Sequence, residues 1–133
     1  MKLILHCDGG SRGNPGPAGI GVVLTDDSGE VVAEVAERIG DATNNVAEYK
    51  AVIRGLERAQ DLEAKVVALV GDSELVAKQI TGHYKVKHAD MKPLHAEVKG
   101  LLETFDSWTI RTVPRAENSD ADALVNAALD GLR

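Results

Sequence analysis

Aromatic residues are nearly missing from this chain of 133 residues, which carries one Trp, two Tyr and one Phe. Its core must therefore be built from Val, Leu, Ile and Ala. The single cysteine, Cys7, excludes an internal disulfide, and with no other Cys beside four scattered His there is no zinc-type cluster. Cys7 lies in an apolar stretch, where a thiol packs as a small hydrophobe. Apolar runs stay far short of the ~20 residues that span a bilayer, and the N-terminal stretch lacks the apolar core and cleavage site of a signal peptide. These absences point to a cytoplasmic protein with no membrane partner. Positive charge is also scarce: 15 Lys and Arg stand against 21 Asp and Glu, a formal net charge of -6. On its face that argues against a nucleic-acid partner. The argument weakens if several acids hold divalent cations, which reverse the local field. Lys85, Lys87, His88 and Lys92 form a local basic stretch that composition alone would make a solvated loop.

What is present fits a soluble globular chain, 44% hydrophobic and 27% charged, of the size of one ordinary domain covering residues 1–133. No repeat, low-complexity segment or internal linker interrupts it. Alternating apolar residues predict strands over residues 2–7, 18–25 and 30–39, with a turn at Asp26-Asp27-Ser28-Gly29. Short connections make these an antiparallel meander. Val52, Ile53, Leu56 and Ala59 have helical spacing and predict a helix over residues 45–60. A continuous apolar run over 65–70 predicts a strand covered on both faces. Helices follow over 74–80 and 91–105, then a strand over 108–113, a loop over 114–118 and a closing helix over 119–132. The expected fold is α/β: a five-stranded mixed sheet, its first three strands antiparallel, flanked by helices on both faces.

Four carboxylates sit at the edges of these elements. Asp8 opens a turn that packs four Gly and two Pro into ten residues, together with Ser11, Arg12 and Asn14. Such a turn lets backbone approach a ligand closely, and is equally an elaborate hairpin loop. Glu48 shares the apolar stripe of its helix, where a carboxylate needs a partner; it also stands at capping-box spacing from Asn45. Asp72 ends a central strand, the usual ligand crevice of α/β sheets, or else caps the next helix. Asp122 follows Ser119 at capping-box spacing. Each acid has a local explanation, but four together do not cluster without cations to neutralise them. Oxygen-only donors suit Mg²⁺ or Mn²⁺, and two such ions about 3.5–4 Å apart can drive phosphodiester cleavage.

The string Asp8-Gly9-Gly10-Ser11-x-Gly13-Asn14-Pro15-Gly16-Pro17, followed by Thr43-Asn44-Asn45-x-x-Glu48, Gly71-Asp72-Ser73 and Glu117-Asn118-x-x-x-Asp122, resembles type 1 ribonuclease H in order and spacing over almost the whole chain. The resemblance implies the ribonuclease H-like fold and endonucleolytic hydrolysis of the RNA strand of RNA–DNA hybrids, leaving 3′-hydroxyl and 5′-phosphate ends. It implies two Mg²⁺ ions, replaceable by Mn²⁺, held by Asp8, Glu48, Asp72 and Asp122, with Asp8 between both. Glu48 matches an acid associated with the substrate 2′-hydroxyl. Asn14, Asn44 and Asn45 match residues of the hybrid's minor groove, with backbone contacts from Gly10, Ser11 and Gly13. Thr43 matches a position that holds a DNA-strand phosphate. Double-stranded RNA is left open as a second substrate, and a monomer is expected.

Departures from the pattern are informative. The loop before the last acid is short and has Arg115 where familiar bacterial members carry histidine, as in an archaeal-like subgroup. Arginine is no general base at neutral pH, so its implied role is electrostatic. The basic protrusion of those members shrinks to residues 82–88, which predicts weaker hybrid binding. Glu74 replaces a glutamine that contacts the 2′-hydroxyl. His6, His83, His88 and His95 lie away from the motifs. A non-catalytic hybrid-binding module would be expected to have lost acids, and an integrase- or resolvase-like nuclease would lack the Asn14, Asn44 and Asn45 set.

Overall fold

A computed structural model of the protein describes residues 1–131. Five strands form one sheet: β1 (Lys2–Ser11), β2 (Gly16–Thr25), β3 (Val31–Ala42), β4 (Val66–Gly71) and β5 (Ser107–Thr112), in the order β3-β2-β1-β4-β5. β1 pairs antiparallel with β2, as β2 does with β3, while β4 runs parallel to both β1 and β5. The helices are α1 (Asn44–Asp61), α2 (Glu74–Ile80), α3 (Lys92–Leu102) and α4 (Ser119–Leu129). The fold class expected from the sequence is therefore the one observed.

Side chains of a strand alternate between faces, and β2 shows which helix covers which face. The Val22 side chain packs beside Gly55 of α1, whereas its neighbour Gly21 lies against Ala121 of α4. On the α1 face, Leu3, Leu5, Val22, Leu24, Val67 and Leu69 join Leu56 of α1 and Val98 and Leu102 of α3 in one apolar cluster. Each such buried side chain contributes about 1.5–3 kcal/mol of transfer free energy. On the other face, Ala121, Leu124, Val125 and Ala128 of α4 are buried. Buried polar contacts fix the helices to one another. Tyr49 Oη donates to Gln79 Oε1 at 2.6 Å, and His95 Nε2 lies 3.0 Å from the Gln79 carbonyl oxygen, so α1, α2 and α3 are pinned together.

Several boundaries differ from expectation near the strand ends. β1 continues through Asp8, which faces Gly21 across the ladder, so the predicted turn shrinks to residues 12–15. β3 runs on to Ala42 because a register shift beside Gly19 absorbs the break expected at Gly40. β4 is covered unequally: Val67 and Leu69 of one face are buried, while on the other Val70 is buried but Val66 and Ala68 only partly, since α4 packs on β1, β2 and β3. α3 stops at Leu102, and Phe105 is buried beyond it. Residues 115–118 form a 3-10 turn rather than an open loop. α4 ends at Leu129, and Leu132, the expected end, lies outside the described residues.

Candidate active site in a carboxylate-lined cleft

Three acids from three elements converge. Asp8 of β1, Glu48 of α1 and Asp72, just past β4, each offer a carboxylate oxygen within 4.8 Å of the others. The approach of α1 to β1 makes this possible. A Cβ on Gly9 would lie 2.3 Å from the carbonyl carbon of Ala47, so only glycine lets the helix come so close. At that crossing the Gly9 backbone N–H donates to Glu48 Oε1 at 2.7 Å.

None of the acids is doing the capping work that the sequence allowed. Thr43, not Asn45, caps α1, its hydroxyl accepting from Val46 N–H, so Glu48 lies beyond the capping-box position. Ser73 caps α2 by accepting from Val76 N–H, which leaves Asp72 free. Asn118 occupies the cap position of α4 without a side-chain cap bond, and Ser119 is already helical. The carboxylates are thus surplus to local structure.

Crowding shows in their protonation. Burial, then the neighbouring acids Asp72 and Asp122, holds the Asp8 carboxyl above its usual range. Burial and the charge of Asp8 do the same to Glu48, against the pull of the Gly9 N–H. Desolvation raises any carboxyl, and like charges raise it further. Hard oxygen donors at this spacing, held partly protonated for want of a countercharge, fit a divalent cation such as Mg²⁺.

Asp122, on the first turn of α4, reaches the same acids from a fourth element, beside Asp8, with its side chain partly buried. Its Oδ1 accepts from Arg115 Nη2 at 3.3 Å, and its Oδ2 from Asn126 Nδ2 at 3.4 Å. All four acids and Arg115 line one cleft of about 450 Å³ with Gly10, Ser11, Asn44 and Asn45. Asn44 Oδ1 accepts from the Ser11 backbone N–H at 2.9 Å, and Asn14 Oδ1 accepts from the Asn44 N–H at 3.0 Å. These bonds lock the β1–β2 turn onto α1. They use the acceptors of both amides, and among the described residues no hydrogen bond engages either Nδ2. The Ser11 hydroxyl donates to the Gly13 carbonyl. Of the residues named from the sequence, Gly13 and Asn14 sit in the turn beside the cleft lining, and Thr43 and Glu74 stand elsewhere. Thr43 spends its hydroxyl on the α1 cap, and Glu74 is exposed and ion-paired to Lys78 at 2.6 Å. His83, His88 and His95 bond to Thr81, Asp90 and Gln79, outside the cleft.

Two further polar residues, Arg12 and Asn126, line the cleft without having been marked as functional, and a third, Asn118, is buried nearby. Arg12 pairs with Asp130 at 2.6 Å, a contact across 118 residues with no local signature. Asn126 lies one helical turn from Asp122, a spacing that could have flagged it. Asn118 is buried and donates from Nδ2 to the Cys7 carbonyl at 2.8 Å, tying the start of α4 to the strand residue before Asp8. Its Oδ1 has no partner among the described residues.

A family profile described as reverse transcriptase-like matches residues 6–128. Ribonuclease HI of Halobacterium salinarum is 50% identical over 129 residues, covering 97% of this chain and 65% of that protein. A bifunctional protein of Mycobacterium tuberculosis is 49% identical over 131 residues, covering 98% of this chain but only 36% of its own length. The chain thus spans about a third to two thirds of these relatives. Among solved structures, the ribonuclease H1 of Halobacterium salinarum superposes with a TM-score of 0.96 at 47% identity, covering 98% of this chain and 99% of that one. LC11-RNase H1 in complex with an RNA/DNA hybrid gives 0.93 at 43% identity, covering 98% of each chain. The likeness runs from the first strand through the last helix, and the chain belongs to the type 1 ribonuclease H family.

Proposed function

We propose that the protein is an endonuclease that hydrolyses the RNA strand of RNA–DNA hybrids with two Mg²⁺ ions, replaceable by Mn²⁺, and leaves 3′-hydroxyl and 5′-phosphate ends. The observation that carries this reading is the convergence of Asp8, Glu48 and Asp72 in a cleft whose rim is built from amides. The hybrid bound by LC11-RNase H1 supports the choice of substrate. Residues 1–133 then act as one catalytic domain, a monomer of the cytoplasm.

Asp8, Glu48, Asp72 and Asp122 hold the cations. When bound, these ions supply activation of the attacking water and stabilisation of the leaving oxygen. Asp8, the least exposed of the acids by residue, would help hold both ions. The free Nδ2 groups of Asn14 and Asn44, with Asn45 beside them, donate to the minor-groove edge, where the 2′-hydroxyl separates RNA from DNA. Gly10 and Ser11 add backbone contacts. Arg115, exposed at the rim, offers a guanidinium to the scissile phosphate and releases Asp122 as it does so. Thr43 and Glu74 contribute through the cap of α1 and the surface of α2.

Matched RNA–DNA, RNA–RNA and DNA–DNA duplexes, incubated with Mg²⁺, with Mn²⁺ and with chelator, test the reading. Metal-dependent cleavage of the RNA strand of the hybrid is expected, abolished in Asp8→Asn. A hybrid left intact with either metal refutes the activity. Cleavage of the RNA–RNA duplex adds a second substrate.

A further inference from the structure

We propose that Asn126, oriented by Arg12, is a positioning residue for Asp122, so that the β1–β2 turn sets the geometry of the acid that α4 contributes to the cleft. The inference rests on the metal-dependent reading above. An unbroken polar line runs through the cleft wall. Asp130 Oδ1 accepts from Arg12 Nη1 at 2.6 Å, Arg12 Nη2 donates to Asn126 Oδ1 at 3.4 Å, and Asn126 Nδ2 donates to the Asp122 carbonyl at 3.2 Å and to its Oδ2 at 3.4 Å.

The direction of this line follows from donor chemistry. An amide can turn either end toward a neighbour, and at Asp122 only its NH₂ end is useful, because a carboxylate accepts and never donates when ionised. Guanidinium has donors alone, so Arg12 bonds only the amide oxygen. With Asn126 Oδ1 claimed, Nδ2 must face Asp122. Asp130 in turn keeps Arg12 in place through a short ion pair. The bonds at Asn126 are long and therefore soft, but each constrains the next.

Asp122 needs such a device. Asp8 and Glu48 are fixed by strand pairing and by the Gly9 N–H, whereas Asp122 is about a third exposed and faces those acids with like charge. Arg115 holds its other oxygen, but that side chain is 78% exposed and is the group most readily drawn off by a phosphate. Asn126 steadies Oδ2 without cancelling the charge a cation needs. Because Arg12 shares the turn with Ser11 and Asn14, whatever seats that turn also seats Asp122.

Mn²⁺ binding to the full chain without nucleic acid, read from the EPR signal of free Mn²⁺, separates the possibilities. Asn126→Ala is expected to weaken binding about tenfold, the range seen when a partner of a metal ligand is lost. Arg12→Ala is expected to weaken it by a smaller factor. In an Asp122→Asn background neither substitution should have a further effect, since the carboxylate through which both act is gone. Thermal unfolding should be unchanged, as Asn126 is an exposed helical residue. Unchanged Mn²⁺ affinity in Asn126→Ala, or a loss that persists with Asp122→Asn, overturns the proposal. An Arg12→Ala variant that raises KM for hybrid and leaves Mn²⁺ affinity intact also overturns it, making Arg12 a phosphate contact instead. If the wild type binds Mn²⁺ as described yet cuts no hybrid, the substrate reading fails and this one stands.

Discussion

The crossing of α1 over β1 gives a sharp test, because two adjacent glycines there meet opposite surroundings. A Cβ built on Gly9 would lie 2.3 Å from both the carbonyl carbon and oxygen of Ala47 and 2.6 Å from the Glu48 nitrogen. Ordinary contact begins at 3.4 Å, and every obstructing atom is backbone, so no side chain can rotate away. Gly9→Ala must therefore push the helix outward by about 1 Å, a displacement that overpacking energies put at about 1–3 kcal/mol. The same shift stretches the 2.7 Å bond from Gly9 N–H to Glu48 beyond useful range, forfeiting about 1.5–3 kcal/mol more. We expect a loss of about 3 kcal/mol or more, a fall in Tm of roughly 10 °C, and a drop in hybrid cleavage of about 100-fold from misplacement alone. Gly10→Ala is the internal control: its Cβ would meet nothing nearer than Val125 Cγ1 at 4.0 Å, and stability should hold within about 0.5 kcal/mol. Thermal unfolding by circular dichroism, Mn²⁺ binding and single-turnover cleavage measure the three quantities. A Gly9→Ala protein with wild-type Tm and Mn²⁺ affinity would refute the reasoning, as would equal losses in both variants.

The raised carboxyls of Asp8 and Glu48 make the metal-free protein sensitive to alkali. A carboxyl held above its unfolded value lends stability that is full below about pH 4 and drains as pH rises through the folded value, by about 1.4 kcal/mol per pH unit for each group then titrating. With chelator present, Tm should thus decline between about pH 5 and 9; Mg²⁺ should restore it at the alkaline end only, and Glu48→Gln should flatten the slope. A flat profile in chelator would count against the crowding. Asn118→Ala removes the buried donor to the Cys7 carbonyl and should cost about 1–3 kcal/mol in urea unfolding. Asn118→Asp, which turns a second acceptor toward that carbonyl, should cost more, and the reverse order would show that packing rather than the hydrogen bond holds the 3-10 turn.

Element order and type were legible because each segment has a strong period: alternation in β1 to β3, a three-to-four repeat in α1. Segment ends beside the cleft were not. Asp8-Gly9-Gly10 has the composition of a turn, yet β1 keeps its ladder with β2 to Ser11, and Gly9 serves close helix approach instead. The caps show the same limit at finer scale. Asn45, Asp72 and Ser119 are all good capping types, but the capping bond falls to Thr43, two residues before Asn45, and to Ser73, one after Asp72, while α4 starts at Asn118, one before Ser119, with no side-chain cap bond at all. A cap is decided by the backbone angles of a single residue, which residue type alone does not specify. Those small displacements are what leave Glu48, Asp72 and Asp122 free. Partners far apart in sequence were invisible altogether: Arg12 with Asp130, and Asn118 with the Cys7 carbonyl 111 residues away.

The formal charge of -6 looked hostile to a polyanionic duplex, and the cleft suggests how the proposed substrate and that charge are compatible. Its floor is acidic and closed to phosphate until cations arrive; two unit charges about 4 Å apart interact by roughly 4 kcal/mol at an effective dielectric of 20. Its rim relies on amides and backbone, which recognise hydroxyls and base edges without a net charge of their own. Arg12 and Arg115, the cations lining it, are both already paired to acids, Asp130 and Asp122. Under the proposed function, attraction for nucleic acid is therefore conditional in this chain. It would follow the metal, through the acids that burial and like charge hold partly protonated, and the exchange of Arg115 from Asp122 to phosphate. A surface of fixed positive charge would bind any duplex; a cleft that becomes attractive only when loaded couples binding to readiness for chemistry.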